Sequence, residues 1–264
     1  MDSGADIVKR PRLGARLAGI ARSFGAAVLD QFYPPVCLHC EAAIADADAL
    51  CAKCFGQLRP ITAPLCPRLG IPFEVALGPD AISAEAIADP PPFDRSRSAL
   101  LYNEVARTLV SRLKYGDRPE LARFCARLMA AAGHELWEKG PVLVPVPLHR
   151  FRQFERRYNQ STELARALAR ITGLQVDPLL VSRLKRTKQQ VGLTADQRQR
   201  NVAGAFAARP DALGRLAGRG VVIVDDVITT GSTVKAVTRA LTKSGVGQID
   251  VVSFARVVIG QGLS

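Results

Sequence analysis

Thirteen consecutive residues constrain the fold of this chain more than any other segment: Val221-Val222-Ile223-Val224-Asp225-Asp226-Val227-Ile228-Thr229-Thr230-Gly231-Ser232-Thr233. Four apolar β-branched residues in a row make a buried strand. Two aspartates follow at its carboxyl end, the edge where open α/β sheets hold ligands. The small-residue loop Thr229 to Thr233 then opens a helix. Backbone N–H groups and hydroxyls collect there at a positive helix end, which suits a phosphate. Gly231 lets a ligand approach the backbone with no Cβ in the way. Asp225 and Asp226 would repel that phosphate, but they suit neighbouring hydroxyls, as on a ribose, or a bound Mg²⁺. A ribose 5-phosphate carries both features. The plainer alternative is that the aspartates cap a turn and the loop merely starts a helix. A P-loop is disfavoured, since no GxxxxGK[ST] occurs in the chain.

Short apolar runs alternate with helical patterns around this segment. Ser98–Tyr102, Val142–Val146, Leu179–Val181, Val221–Val224 and Ile249–Ala255 read as strands. Val105–Leu113, Leu121–Ala132, Asn159–Ile171 and Thr233–Lys243 read as helices. The alternation predicts an α/β fold, a mostly parallel sheet with helices on both faces. No internal repeat at solenoid spacing is present. Upstream, Leu13, Leu17, Ile20, Phe24, Val28 and Phe32 recur at helical spacing and predict an amphipathic helix within residues 1–35, stopped by Tyr33-Pro34-Pro35. Residues 69–95, rich in Pro, Ala and Asp, read as a linker. The remaining boundaries are a cysteine module over 36–68 and the α/β domain over 96–264.

The module rests on Cys37-Leu38-His39-Cys40 and Cys51-Ala52-Lys53-Cys54, ten residues apart. Two residues between thiolates let a tight knuckle aim both sulfurs at one ion, and a second knuckle completes a tetrahedral zinc site. No secretory signal supports disulfides, and no strand-then-helix context supports a redox pair. Four sulfurs close the site, so its zinc is structural. His39 is a bystander, and Cys125 sits in an apolar helical pattern as core.

Composition supplies exclusions. With 48% hydrophobic and 23% charged residues, the chain is neither disordered throughout nor collagen-like nor a disulfide miniprotein. No apolar run approaches the roughly 18 to 20 residues of a membrane span. Leu13 to Phe32 is interrupted by Arg16, Arg22 and Asp30, so a soluble cytoplasmic protein is expected. The net charge is +12, and +8 of it falls in residues 141–200. That bias favours polyanions such as nucleic acid or phosphorylated metabolites, against the bland reading of a solvated face.

The Val221–Thr233 string resembles the signature of type I phosphoribosyltransferases, which bind phosphoribosyl pyrophosphate (PRPP). Further segments are Leu113-Lys114-Tyr115-Gly116-Asp117, Val144 to Arg150, Arg157-Tyr158-Asn159-Gln160, Arg186 to Leu193, and Arg198 to Phe206. With the paired cysteines, the ensemble resembles the ComF family, a zinc-finger module followed by a phosphoribosyltransferase domain, over roughly residues 30–260. One departure stands out: the second ribbon's CPxCG pattern appears as Cys66-Pro67-Arg68-Leu69-Gly70, so only the first zinc site is assigned.

The resemblance implies PRPP binding with Mg²⁺ and, if catalysis occurs, displacement of pyrophosphate from ribose C1 by a base. Asp225 and Asp226 would meet the ribose hydroxyls and, indirectly, Mg²⁺. Thr229, Thr230, Gly231, Ser232 and Thr233 would cradle the 5-phosphate. Leu148, His149 and Arg150 would contact pyrophosphate. Arg183 to Arg200 has the composition of a mobile loop that closes over the leaving group. Arg186 and Lys188 would join the two aspartates as the catalytic set, with Arg198 and Arg200 next; the bland reading is four solvated cations. The family role implied is DNA uptake in natural competence, with single-stranded DNA or a competence helicase as partner. Phe151, Phe154 and Tyr158 are candidate stacking platforms. Two alternatives stay open: an active phosphoribosyltransferase in nucleobase salvage with an unknown acceptor, and a PRPP-sensing regulator.

Overall fold

The computed structural model describes residues 34–78, 81–115, 119–148, 158–185 and 195–258. The amphipathic helix expected from Leu13 to Phe32 lies outside them. The chain forms two compact units, Met1–Cys51 and Ala52–Ser264. In the first, an isolated antiparallel bridge joins Val36 to Ala43. It brackets a tight turn in which Cys37 N–H donates to Ala42 O at 2.8 Å.

The second unit begins with α1 (Ala52–Phe55) and α2 (Ala84–Ala88). The α/β part follows: β1 (Ser96–Leu101), α3 (Glu104–Tyr115), α4 (Pro119–Ala132), β2 (Val142–Pro145) and α5 (Gln160–Thr172). Next come β3 (Val181–Arg183), α6 (Ala195–Val202), β4 (Phe206–Ala208), α7 (Ala212–Leu216), β5 (Val221–Ile228), α8 (Ser232–Lys243) and β6 (Ile249–Arg256). Four strands form a parallel sheet in the order β1-β6-β5-β2, as the alternating pattern predicts.

β5 and β6 are largely buried on both faces and mostly apolar, because both faces are covered. Val221, Ile223 and Ile228 of β5 share a core with Val142 and Val144 of β2, Ile249 and Val251 of β6, and Val234, Val237 and Leu241 of α8. The alternate residues Val222, Val224, Leu143, Val252 and Phe254 are equally buried. By strand alternation they turn to the other face, where α4 and α5 pack on the sheet. Each such side chain contributes about 1.5–3 kcal/mol. Among the described residues no helix is long and apolar enough to cross a membrane.

Three local expectations change. Residues 69–95 are not a bare linker: Leu69, Ile71, Ala86 and Phe93 are buried in the same core as β2 and β5, and Arg68 Nη2 donates to Pro91 O and Phe93 O. A few apolar side chains anchor an otherwise polar stretch, which composition alone does not register. The strand expected at Leu179–Val181 is β3, shifted to Val181–Arg183. It pairs antiparallel with β4 in a separate two-stranded ribbon. Three-residue strands carry too little alternation to fix a register. The basic stretch is also not a loop at its ends, since Arg183 lies in β3 and Arg198 and Arg200 lie on α6.

Candidate functional site

β5 runs four residues past the expected Val224 and carries both aspartates inside the strand. Asp225 is in register with Ser253 and Val227 with Ala255 of β6, which extends the pairing. Both carboxylates are buried, at 7% and 5% exposure. Asp225 Oδ1 accepts from Ser161 Oγ at 3.2 Å and from the Asp226 N–H at 3.0 Å. Asp226 Oδ1 accepts from the Val227 N–H at 2.8 Å. Its other oxygen, Oδ2, is buried and faces the Lys114 ammonium 3.1 Å away in an ion pair. Burial, and next the Asp226 charge, push the Asp225 carboxyl up to about 8. Burial works against the Lys114 charge, but Asp226 and then Asp225 outweigh it and hold the ammonium above its ordinary range.

α5 positions Ser161. Its N-cap Asn159 accepts from the Ser161 N–H at 3.0 Å and donates from Nδ2 to Val146 O at 3.0 Å. The cap therefore ties the helix start to the chain just past β2. The loop after β5 ends at Gly231, the N-cap of α8 at φ 73°, which supplies no capping side chain. Thr230 and Ser232 hydroxyls meet at 2.8 Å. Asp225, Thr229, Gly231, Ser232 and Thr233 line one small depression with Val227, Ile228 and Val234. Asp225 and the small-residue loop thus share a concavity at the carboxyl end of the sheet, while Asp226, turned to Lys114, and Thr230 are not among its lining residues.

The other predicted residues divide. Leu148 is half-buried beyond β2. His149, Arg150, Arg186 and Lys188, with Phe151 and Phe154, lie outside the described residues. Lys114 and Ser161 contact the acids, yet the sequence assigned neither a role. Lys114 stands in the quoted Lys-Tyr-Gly-Asp string and gave a usable signal; Ser161 gave none. Lys235 also went unassigned. It reaches Asp89 from one turn into α8, and its Cε is 3.7 Å from where a Cβ on Gly231 would stand. Cys125 is wholly buried, and burial followed by the Asp226 charge pushes its thiol upward.

The sulfurs of Cys37, Cys40, Cys51 and Cys54 lie within 4.8 Å of one another. Cys40 Sγ and Cys51 Sγ are 3.7 Å apart, and a tetrahedron with Zn–S of about 2.3 Å has edges of about 3.8 Å. Burial raises the Cys37 thiol, but amide N–H groups of Cys40, Cys51 and His39 outweigh it and bring it to about 6. Thiolates are the form zinc requires. The four cysteines are positioned for zinc, and His39 is outside the set.

Residues 28–86 match the family model of the double zinc ribbon domain, and residues 159–262 that of the phosphoribosyl transferase domain. The chain is 32% identical over 227 residues to the DNA utilization protein YhgH of Salmonella typhimurium, covering 83% of this chain and 95% of that protein. It is 31% identical over 233 residues to competence protein F of Haemophilus influenzae, covering 86% and 99%. Competence protein ComFC of Bacillus subtilis is 27% identical over 204 residues, covering 75% and 80%. Ribbon cysteines and transferase-type sheet follow one another as those matches require, and the chain belongs to the ComF family of competence protein F, ComFC and YhgH.

Proposed function

We propose that this chain binds PRPP together with Mg²⁺ at the Asp225–Thr233 site and works in the cytoplasm in the handling of DNA taken up by the cell. The observation that carries the ligand reading is the buried Asp225 carboxyl lining one depression with Thr229, Gly231, Ser232 and Thr233, with Asp226 buried next to it. A carboxyl at the wall of a depression can meet a ribose hydroxyl while the neighbouring loop meets a phosphate. In this reading Asp225 and Asp226 hold the ribose hydroxyls, and Thr229 to Thr233 receive the 5-phosphate at the start of α8. The all-oxygen donor set fits a hard divalent cation, which would neutralise the pyrophosphate. His149 and Arg150 are assigned to the pyrophosphate, and Arg186 and Lys188 to the leaving-group side. The DNA role rests on the names of the relatives, competence proteins and DNA utilization proteins, and on the basic bias of residues 141–200, which suits single-stranded DNA. A competence helicase is the protein partner this role calls for.

Calorimetric titration of PRPP with Mg²⁺ tests the site. Asp225→Asn with Asp226→Asn is expected to weaken binding at least tenfold, about 1.4 kcal/mol, with circular dichroism unchanged. Equal affinity in a folded double variant removes the assignment. Pyrophosphate release screened over nucleobases separates transferase from binder: turnover with any base selects the enzyme, and tight binding without release selects the non-catalytic role.

A further inference from the structure

The tight turn around Cys37 has a counterpart 29 positions later. The antiparallel bridge Val36–Ala43 is matched by Leu65–Pro72. Cys37 N–H donates to Ala42 O at 2.8 Å, and Cys66 N–H donates to Ile71 O at 2.8 Å. Ile44 N–H reaches Pro35 O at 2.9 Å, and Phe73 N–H reaches Pro64 O at 2.8 Å. The left-handed residue that closes the turn is Glu41 at φ 63° in one and Gly70 at φ 64° in the other.

The second halves correspond as well, now displaced by 32 positions. Cys51 N–H donates to Cys37 Sγ at 3.2 Å, and Ser83 N–H donates to Cys66 Sγ at 3.4 Å. Each of these donors is followed at once by a short helix, Ala52–Phe55 and Ala84–Ala88. The positions equivalent to Cys37, Cys40, Cys51 and Cys54 are therefore Cys66, Leu69, Ser83 and Ala86.

We infer that residues 64–89 form a second ribbon on the plan of the first, one that binds no metal and is held by apolar packing where a zinc ion would sit. The double zinc ribbon match over residues 28–86 spans both copies, and its second metal does not fit the side chains present. Leu69 and Ala86 offer no ligand atom, and the Ser83 hydroxyl accepts the Ala86 N–H as the cap of α2. One sulfur does not make a tetrahedral site. In exchange, Cys66, Leu69, Ile71 and Ala86 are buried with Phe93 and with β2 and β5 residues in one core. The backbone of β1 closes on the turn: a Cβ on Gly70 would meet Ser96 O at 2.3 Å. Glycine is thus required there by crowding as well as by φ.

Cobalt(II) and zinc titration of the full chain tests this. Wild type is expected to take up one equivalent, and Cys66→Val the same. Leu69→Cys, Ser83→Cys and Ala86→Cys together restore four sulfurs and are expected to add one further equivalent of tetrahedral thiolate cobalt. Because the readout is that added equivalent, it does not depend on how the first cluster behaves. Two equivalents in wild type, an equivalent lost in Cys66→Val, or a folded triple variant with no added equivalent would overturn the inference. If the triple variant does not fold, wild type and Cys66→Val decide it.

Discussion

Asp225 is the residue on which pH acts most directly. Its carboxyl is raised from 3.8 to about 8 by burial and by Asp226, so between those values the folded chain holds a proton that the unfolded chain has released. Stability from this group is complete below about pH 4 and falls as pH rises to about 8. Asn at 225 keeps an acceptor for Ser161 Oγ and the Asp226 N–H while removing the titration. Asp225→Asn is therefore expected to match wild type near pH 4 and to exceed it increasingly toward pH 8, by on the order of 1–4 kcal/mol, the range for relieving buried ionic groups. Urea unfolding at pH 4 to 8 without Mg²⁺ measures it, and parallel curves for the two proteins would reject the role given to burial.

At the scale of elements, α5 connects fold to site. Asn159 caps it and also donates to Val146 O, so Asn159→Ala removes a cap and leaves a carbonyl without its donor. A loss of about 1–2 kcal/mol is expected, with PRPP affinity falling several-fold because Ser161 is no longer held against Asp225. Unchanged affinity in the destabilised variant would show that the cap serves the helix alone. This helix was legible in the sequence to within a residue, since Leu164, Leu168 and Ile171 recur at helical spacing. β5 was legible as a strand but not in length, because two acids end an apolar run on paper while pairing with β6 continues through them. Ser161 was invisible: its partner is 64 positions away, and only the sheet order brings them together. The second ribbon was invisible for another reason. Its backbone bonds repeat those of the first, but of the four ligand letters only Cys66 survives.

At the scale of the whole molecule, charge sets the expected behaviour toward DNA. A net +12 attracts any polyanion, but the field is concentrated, with +8 in residues 141–200. Two cations of that stretch, Lys185 and Arg200 on α6, are exposed, and Lys185 Nζ makes only a long hydrogen bond, 3.5 Å to Ala203 O, so substituting them disturbs little packing. Arg183 is a poorer choice for mutation, because its guanidinium covers the Phe206 ring at 5.1 Å. Each phosphate neutralised on a single strand contributes about −0.7 to the slope of log affinity against log salt. Lys185→Gln with Arg200→Gln is therefore expected to reduce that slope by about 1.4 for oligothymidylate, with the unfolding midpoint unchanged. Fluorescence anisotropy at 50 to 200 mM salt reads it. A slope and affinity equal to wild type would mean that DNA, if held, meets another face, and the basic stretch would then answer only to pyrophosphate.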